Sequence, residues 1–351
     1  MMHRLKNQAL GIALGGAAVG GLVLVGAAGA SAATLPDNAG AHGWVYTSSN
    51  STTGNQVDVF ARTSYGTLTP AGTYSTGGAG NGKSGFSQGS VTLSADHGTL
   101  LVVNAGSNQV SDFAVLPGGA LRLRNVVASG GTDPVSVAIS GGLAEVLNVG
   151  GTANVTGFRA TAAGLTPVTG GSQPLSAGAS SPEDVAISPD GLHVAVTEKV
   201  SDTIDTFAVG LGGELAPAVT SPSDSPLSFA EVFGPSGQLL VADDGAAGTS
   251  ALSSYWIGRG GALDATQAAV TDSQTAACWV ALGRDGDVFV DNAGSGTISS
   301  YRVSLFGNVT FLGNTSAGNG AGPLDDAVSS DGSRLYVFNA SQDELAEFSV
   351  G

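Results

Sequence analysis

Short apolar runs alternate with polar, glycine-rich turns along most of the chain, and one signature returns inside them seven times. It is an aliphatic residue, two spacers and an aromatic: Val57 to Phe60, Val110 to Phe113, Val155 to Phe158, Ile204 to Phe207, Leu252 to Tyr255, Ile298 to Tyr301 and Leu345 to Phe348. The aromatics follow one another at intervals of 53, 45, 49, 48, 46 and 47 residues. A period in the forties filled with strand-like segments marks a β-propeller blade, a unit too small to bury its own faces and stable only when stacked on its neighbours. Seven copies predict an all-β, seven-bladed propeller of four-stranded antiparallel blades.

Residues 87–128 show one blade in full. Ser90 to Leu93 is a short apolar strand, and Asp96-His97-Gly98 turns the chain. Leu100 to Val103 is a continuous aliphatic run, as a strand covered on both faces requires. Asn104 to Asn108 turns again, Val110 to Val115 alternates, Pro117-Gly118-Gly119 turns, and Leu121 to Val127 is the outer strand. We label these strands A to D. The A–B turn recurs as Gly141-Gly142, Asp190-Gly191, Ser236-Gly237, Asp285-Gly286 and Asp331-Gly332, and the C–D turn as Gly212-Gly213 and Gly260-Gly261. The recurring aromatic of strand C is expected to pack between neighbouring blades. Helical periodicity is absent after residue 33.

The first blade opens on strand B at Trp44, and the last ends after strand C at Val350. Both are therefore expected to be incomplete. An unpaired strand edge invites other chains, so the segment Thr34 to His42 is expected to supply part of the missing pairing.

Residues 1–33 differ from the rest. Arg4 and Lys6 precede an apolar stretch from Ala9 to Gly29, and Ala30-Ser31-Ala32 and Ser31-Ala32-Ala33 are small-x-small cleavage sites. This pattern predicts a secretory signal over 1–33, with an uncleaved anchor as the alternative, followed by one propeller domain over 34–351. Loss of Arg4 and Lys6 leaves 10 basic residues against 28 acidic ones, formally −18. Such a surface repels phosphate backbones, so nucleic acid is not an expected partner. Cys278 is the only cysteine and lies in an apolar run, which predicts a buried, inert thiol.

Gly77, Gly82, Lys83 and Ser84 match G-x-x-x-x-G-K-S. A nucleotide-binding loop needs a helix after it to face the phosphates. Here Gly85-Phe86-Ser87-Gln88-Gly89 leads into strand A of the second blade, so the match predicts an inter-blade loop and no nucleotide. Asp285-Gly286-Asp287 and Asp243-Asp244 carry oxygen ligands but read as turns, and no metal or other cofactor is expected. The histidines beyond the signal are His42, His97 and His193 alone, and no G-x-S-x-G elbow occurs.

A positional pattern is more informative. Directly after strand B the chain places Thr47, Asn104, Asn148, Thr197 with Glu198, Asp243 with Asp244, Asp291 with Asn292, and Asn339. The B–C turns of a propeller share one face around the channel mouth, so these polar groups predict a ring suited to a small polar ligand. Asn and Asp also favour such turns for their own hydrogen bonds. Glu198, followed by Lys199, is the expected base, with Asn104, Asn148, Thr197, Asp243, Asn292 and Asn339 as ligand-binding residues.

Ser188-Pro189-Asp190-Gly191 and Ser330-Asp331-Gly332-Ser333-Arg334-Leu335-Tyr336-Val337, with the B–C–D rhythm and the start on strand B, resemble the bacterial lactonase-type propellers. That is the family of 6-phosphogluconolactonase and the 3-carboxymuconate-cyclizing enzymes. The resemblance spans residues 43–351, and these motifs are shared with surface-exposed propeller repeats that carry no catalytic role. It implies a seven-bladed propeller that opens a small cyclic ester. The Asn-Glu pair that often follows strand B in that family is here Thr197-Glu198, and its Pro-Arg-His step is here Pro182-Glu183-Asp184. The expected function is a secreted, monomeric, lactonase-like protein; the alternative is a non-catalytic extracellular propeller that binds another protein or a small polar ligand.

Overall fold

The computed structural model describes residues 42–83, 87–176, 178, 181–245, 248–318, 320, 322–342 and 344–350. The signal segment and Thr34 to Ala41 lie outside the described residues. Seven antiparallel sheets succeed one another along the chain, with strands paired in sequence order within each. Blade one is Gly43–Ser48, Gln56–Arg62 and Leu68–Ser75, which are strands B, C and D; blade seven is Pro323–Val328, Arg334–Asn339 and Glu344–Ser349, which are A, B and C. The five blades between them have all four strands. In blade five strand D is split into Leu263–Ala265 and Val270–Thr271, both paired with strand C. Beyond strands and turns, the described residues hold two short 3-10 turns, Ala105–Ser107 and Pro117–Gly119.

Each strand C aromatic packs on the preceding blade. Phe113 joins Tyr46, Val57 and Val59 of blade one. Phe158 joins Leu101, Val103 and Val110 of blade two, and Phe207 joins Leu147 and Val155 of blade three. The series closes on itself, because Phe60 of blade one shares a cluster with Tyr336, Phe338 and Leu345 of blade seven. Aromatic burial of this kind is the main favourable term holding each blade to the next. The ring therefore closes by side-chain packing at a seam where strand pairing is incomplete among the described residues.

His42 continues strand B of blade one by donating its N–H to Arg62 O at 2.7 Å. Where blade one would carry strand A, a cleft of about 420 Å³ opens. It is walled by Trp44 and Tyr46 of blade one, Val91 and Leu93 of blade two, and Ala327 and Val328 of blade seven.

The A strands surround the axis and share an irregularity. In blades three to seven one extra residue bulges from strand A near its start: Val135, Glu183, one of Phe229 and Ala230, Cys278 and Leu324. Bulges re-aim side chains, and these occur on the side of the ring that carries the B–C turns.

Candidate functional site

The residues expected to ring the mouth stand at or just after the ends of B strands, and all but the half-buried Asp244 are buried. Several of their polar atoms hold the inter-blade links, while Oδ1 of Asn148, Asn292 and Asn339 and both carboxyl oxygens of Asp291 have no hydrogen-bond partner among the described residues. Asn104 accepts from Asn55 Nδ2 at 3.0 Å and from Thr76 Oγ1 at 2.8 Å, and donates to Ser111 Oγ at 2.7 Å. Asn148 Nδ2 donates to Ser129 O at 3.2 Å and Asn339 Nδ2 to Ala317 O at 2.9 Å, each tying strand B to the link from the blade before. Asn292 Nδ2 donates to Ser299 Oγ at 2.8 Å. Thr197 Oγ1 donates to Phe229 O of the next blade. Asp243 accepts from Ser228 at 2.8 Å and from Ser253, and burial pushes its carboxyl up to about 7. None of these residues is among those that line the cavity described below.

Glu198 is fully buried. Its Oε2 accepts from Ser201 at 3.0 Å and Thr203 at 3.3 Å, while Oε1 has no hydrogen-bond partner among the described residues. Burial first, and then the neighbouring Asp205 carboxyl, raise it to about 8, so it is mostly protonated at neutral pH.

The open space lies one layer further in. A cavity of about 470 Å³ opens on the B–C face between blades one and four. Its polar wall includes Asn50, Asn81, Lys83, Asp133 and Glu183, and its apolar wall includes Val103, Val135 and Val149. The wall is a connected network. Asn50 Nδ2 donates to Asn81 Oδ1 at 3.0 Å and to Lys83 O at 2.8 Å, and Asn81 Nδ2 donates to Asp133 Oδ1 at 2.9 Å. Lys83 Nζ stands 3.7 Å from Asp133 Oδ2. The Gly77 to Lys83 part of the loop-like match thus covers the cavity as an irregular segment; Ser84 lies outside the described residues.

Glu183 is the bulged residue of strand A in blade four, in the register position next to Pro182, which pairs with Glu198. The bulge is what turns its side chain to the cavity while Glu198 remains behind it. Ser181 Oγ donates to Glu183 Oε1 at 2.7 Å, and Ser87 Oγ donates to Glu183 O. Burial raises the carboxyl to about 7, and the Ser181 hydrogen bond and the Lys199 ammonium hold it from rising further. A lining carboxyl that titrates near neutral pH can take a proton from water and return it. Sequence periodicity does not single Glu183 out; comparison of the bulge column does, since the other bulged blades place Val135, Phe229 or Ala230, Cys278 and Leu324 there.

His97 and His193 lie in or beside A–B turns, on the face away from this cavity. Asp287 pairs with Arg302 at 2.6 Å on that same face. Cys278 is buried, and burial pushes its thiol up to about 12. No group of three or more His, Cys, Asp or Glu among the described residues is placed to hold a metal ion.

Solved structures with the same fold give this cavity a context. A protein of unknown function from Desulfotomaculum acetoxidans superposes with a TM-score of 0.68 at 15% identity, over 84% of this chain and 89% of that one. The shared feature is the β-propeller fold, which lactonases have among other proteins. A candidate 6-phosphogluconolactonase of Bacteroides fragilis gives 0.61 at 17% identity, over 80% and 83% of the two chains. The periplasmic gluconolactonase of Pseudomonas aeruginosa gives 0.57 at 18%, over 78% and 83%. No family model matches the sequence, and no curated protein is significantly similar to it. At these identities the likeness is one of fold.

Proposed function

We propose that this protein is a lactonase-like hydrolase that opens a small cyclic ester in the cavity of the B–C face, with Glu183 as the proton-transferring group. One observation carries the reading: Glu183 lines a cavity wall that combines an acid raised to about 7 with amide and hydroxyl groups. The ionised carboxylate would take a proton as water adds to the lactone carbonyl. The tetrahedral oxyanion so formed would re-form its C=O bond and release the ring oxygen, which takes the proton back from Glu183, giving the open hydroxy acid. Asn50 and Asn81 would orient the ester through their side-chain amides. Glu198, behind the Pro182–Glu183 step, is assigned the part of a neutral buried acid that shapes the bulge.

The N-terminal basic residues and the apolar stretch that follows them support export. No helix of the described residues is long and apolar enough to cross a membrane.

A panel of aldono- and alkyl lactones tests the reading. Wild type is expected to open at least one of them, with Glu183→Gln lowering kcat/KM about 100-fold or more and Glu198→Gln changing it far less. An unchanged rate in Glu183→Gln removes that residue from the chemistry. A wild type that opens none, yet binds a polar ligand in the cavity, is a non-catalytic binding propeller.

A further inference from the structure

The two faces of the ring carry different charge. Pairing in sequence order puts the A–B and C–D turns on one face and the B–C turns and inter-blade links on the other. Ten described residues are Lys or Arg. Eight of them, all arginines, lie in A–B or C–D turns or in the strand segments that enter them, as do Arg122, Arg259, Arg284 and Arg302. The cavity face holds the other two, Lys83 and Lys199. Against them stand Asp133, Asp202, Asp224 and Asp244 in its turns and links, besides Glu183 itself.

Both lysines are engaged. Lys199 Nζ lies 4.7 Å from the centre of the Phe229 ring. Lys83, the cation of the cavity wall, faces Asp133 Oδ2 at 3.7 Å. Recognition of a phosphate or carboxylate ordinarily uses arginine forks or a helix N-terminus; the described cavity wall includes no arginine, and the described residues include no α-helix.

We propose that the cavity takes uncharged lactones and rejects those bearing a phosphate or carboxylate, with Asp133 as the residue that sets this selectivity. The proposal rests on the lactone reading above and adds the substrate class. It has a consequence for turnover: opening a neutral lactone with water creates a carboxylic acid that ionises, and the acidic mouth then repels the product.

Asp133 allows a clean test. Its φ is +53°, a left-handed conformation that Asn tolerates as well as Asp. In Asp133→Asn the side-chain oxygen can still accept from Asn81, and the backbone N–H can still donate to Asn108 Oδ1, while Lys83 loses its counter-charge. The readout is the ratio of kcat/KM for glucono-1,5-lactone to that for its 6-phosphate. Wild type is expected to favour the neutral lactone by about tenfold or more at low ionic strength, with the ratio narrowing in about 0.5 M salt. Asp133→Asn is expected to lower the ratio about tenfold, and Lys83→Ala to raise it. A phosphate ester opened as well as the neutral lactone, or a ratio unmoved by Asp133→Asn, overturns the proposal and leaves the hydrolase reading standing. If neither lactone is opened, the hydrolase reading fails, and calorimetry with glucose and glucose 6-phosphate decides the selectivity. Tighter glucose sustains it; equal or tighter glucose 6-phosphate, or binding of neither, overturns it.

Discussion

Gln88 Oε1 accepts a hydrogen bond from the Val280 N–H at 2.9 Å, joining blade two to blade six across the axis over 192 positions of sequence. The same side chain donates through Nε2 to Glu231 O of blade five at 3.4 Å. Ser87 beside it donates to Glu183 O of blade four. The segment that enters strand A of blade two therefore stitches the A strands of three other blades and closes the floor of the cavity. Gln88→Ala leaves the Val280 N–H without its acceptor and is expected to cost about 1–3 kcal/mol. Urea denaturation should show a lower midpoint with an unchanged slope. A midpoint equal to wild type would mean that solvent replaces Gln88 there.

The seam between blades one and seven should be the most sensitive part of the ring. Arg62 Nη2 meets Asp331 Oδ2 at 2.6 Å, and the Tyr336 hydroxyl donates to Gly66 O at 2.8 Å. Gly66 has φ +92°, and a Cβ there would come within 1.7 Å of Glu347 Oε1 and 2.8 Å of Arg334 Nε, the two ends of an ion pair. Gly66→Ala is therefore expected to cost at least about 2 kcal/mol, and Tyr336→Phe about 1 kcal/mol. Limited proteolysis of Gly66→Ala should cut first near the seam. First cuts in blades three or four would show that the seam is not the weak point.

The number of blades and the position of their strands are legible in the sequence because both depend on local rules. The aliphatic-to-aromatic step fixes strand C, and Asp190-Gly191 or Asp331-Gly332 fixes an A–B turn wherever it stands. The site depends on register, which no period reveals. Glu183 and Glu198 belong to neighbouring strands of one blade, and a single bulge decides that the former meets the cavity while the latter is covered. Asn148 and Asn339 show the same limit from the other side: that their amide nitrogens hold the preceding link follows from where the Ser129 and Ala317 carbonyls stand and not from residue type, and their Oδ1 atoms have no partner among the described residues.

The buried carboxyls make stability depend on pH with an unusual sign. Burial raises Glu183 and Asp184 to about 7, with Asp243 likewise about 7. Each is raised above its unfolded value, so the folded state holds the proton longer. Its contribution is full below the unfolded pKa and is lost as pH rises through the folded one. The exposed turn residues Asp96 and Asp190 are lowered by their serine hydrogen bonds and act oppositely, only in stronger acid. Stability is therefore expected to peak near pH 4–5 and to fall towards pH 8, where ordinary domains hold a plateau. Thermal unfolding across pH 4 to 9 checks this; a Tm that rises from pH 5 to 8 would contradict it.

Glu198 offers the sharpest form of that dependence. Its carboxyl, raised to about 8 by burial and by Asp205, is protonated in the folded state up to that pH. Glutamine has the shape of the protonated acid: its oxygen can accept from Ser201 and Thr203, and its amide can donate towards Asp205. At pH 4, where the folded chain and most of the unfolded chain carry the proton, Glu198→Gln should leave stability within about 0.5 kcal/mol of wild type. Between pH 5 and 8 wild type gives up about 1.4 kcal/mol for each pH unit over which the unfolded acid is ionised and the folded one is not. The glutamine variant gives up none of this, so it should become the more stable protein as the pH rises, and the two unfolding curves should diverge steadily. A constant difference across that range would mean that Glu198 is ionised in the fold.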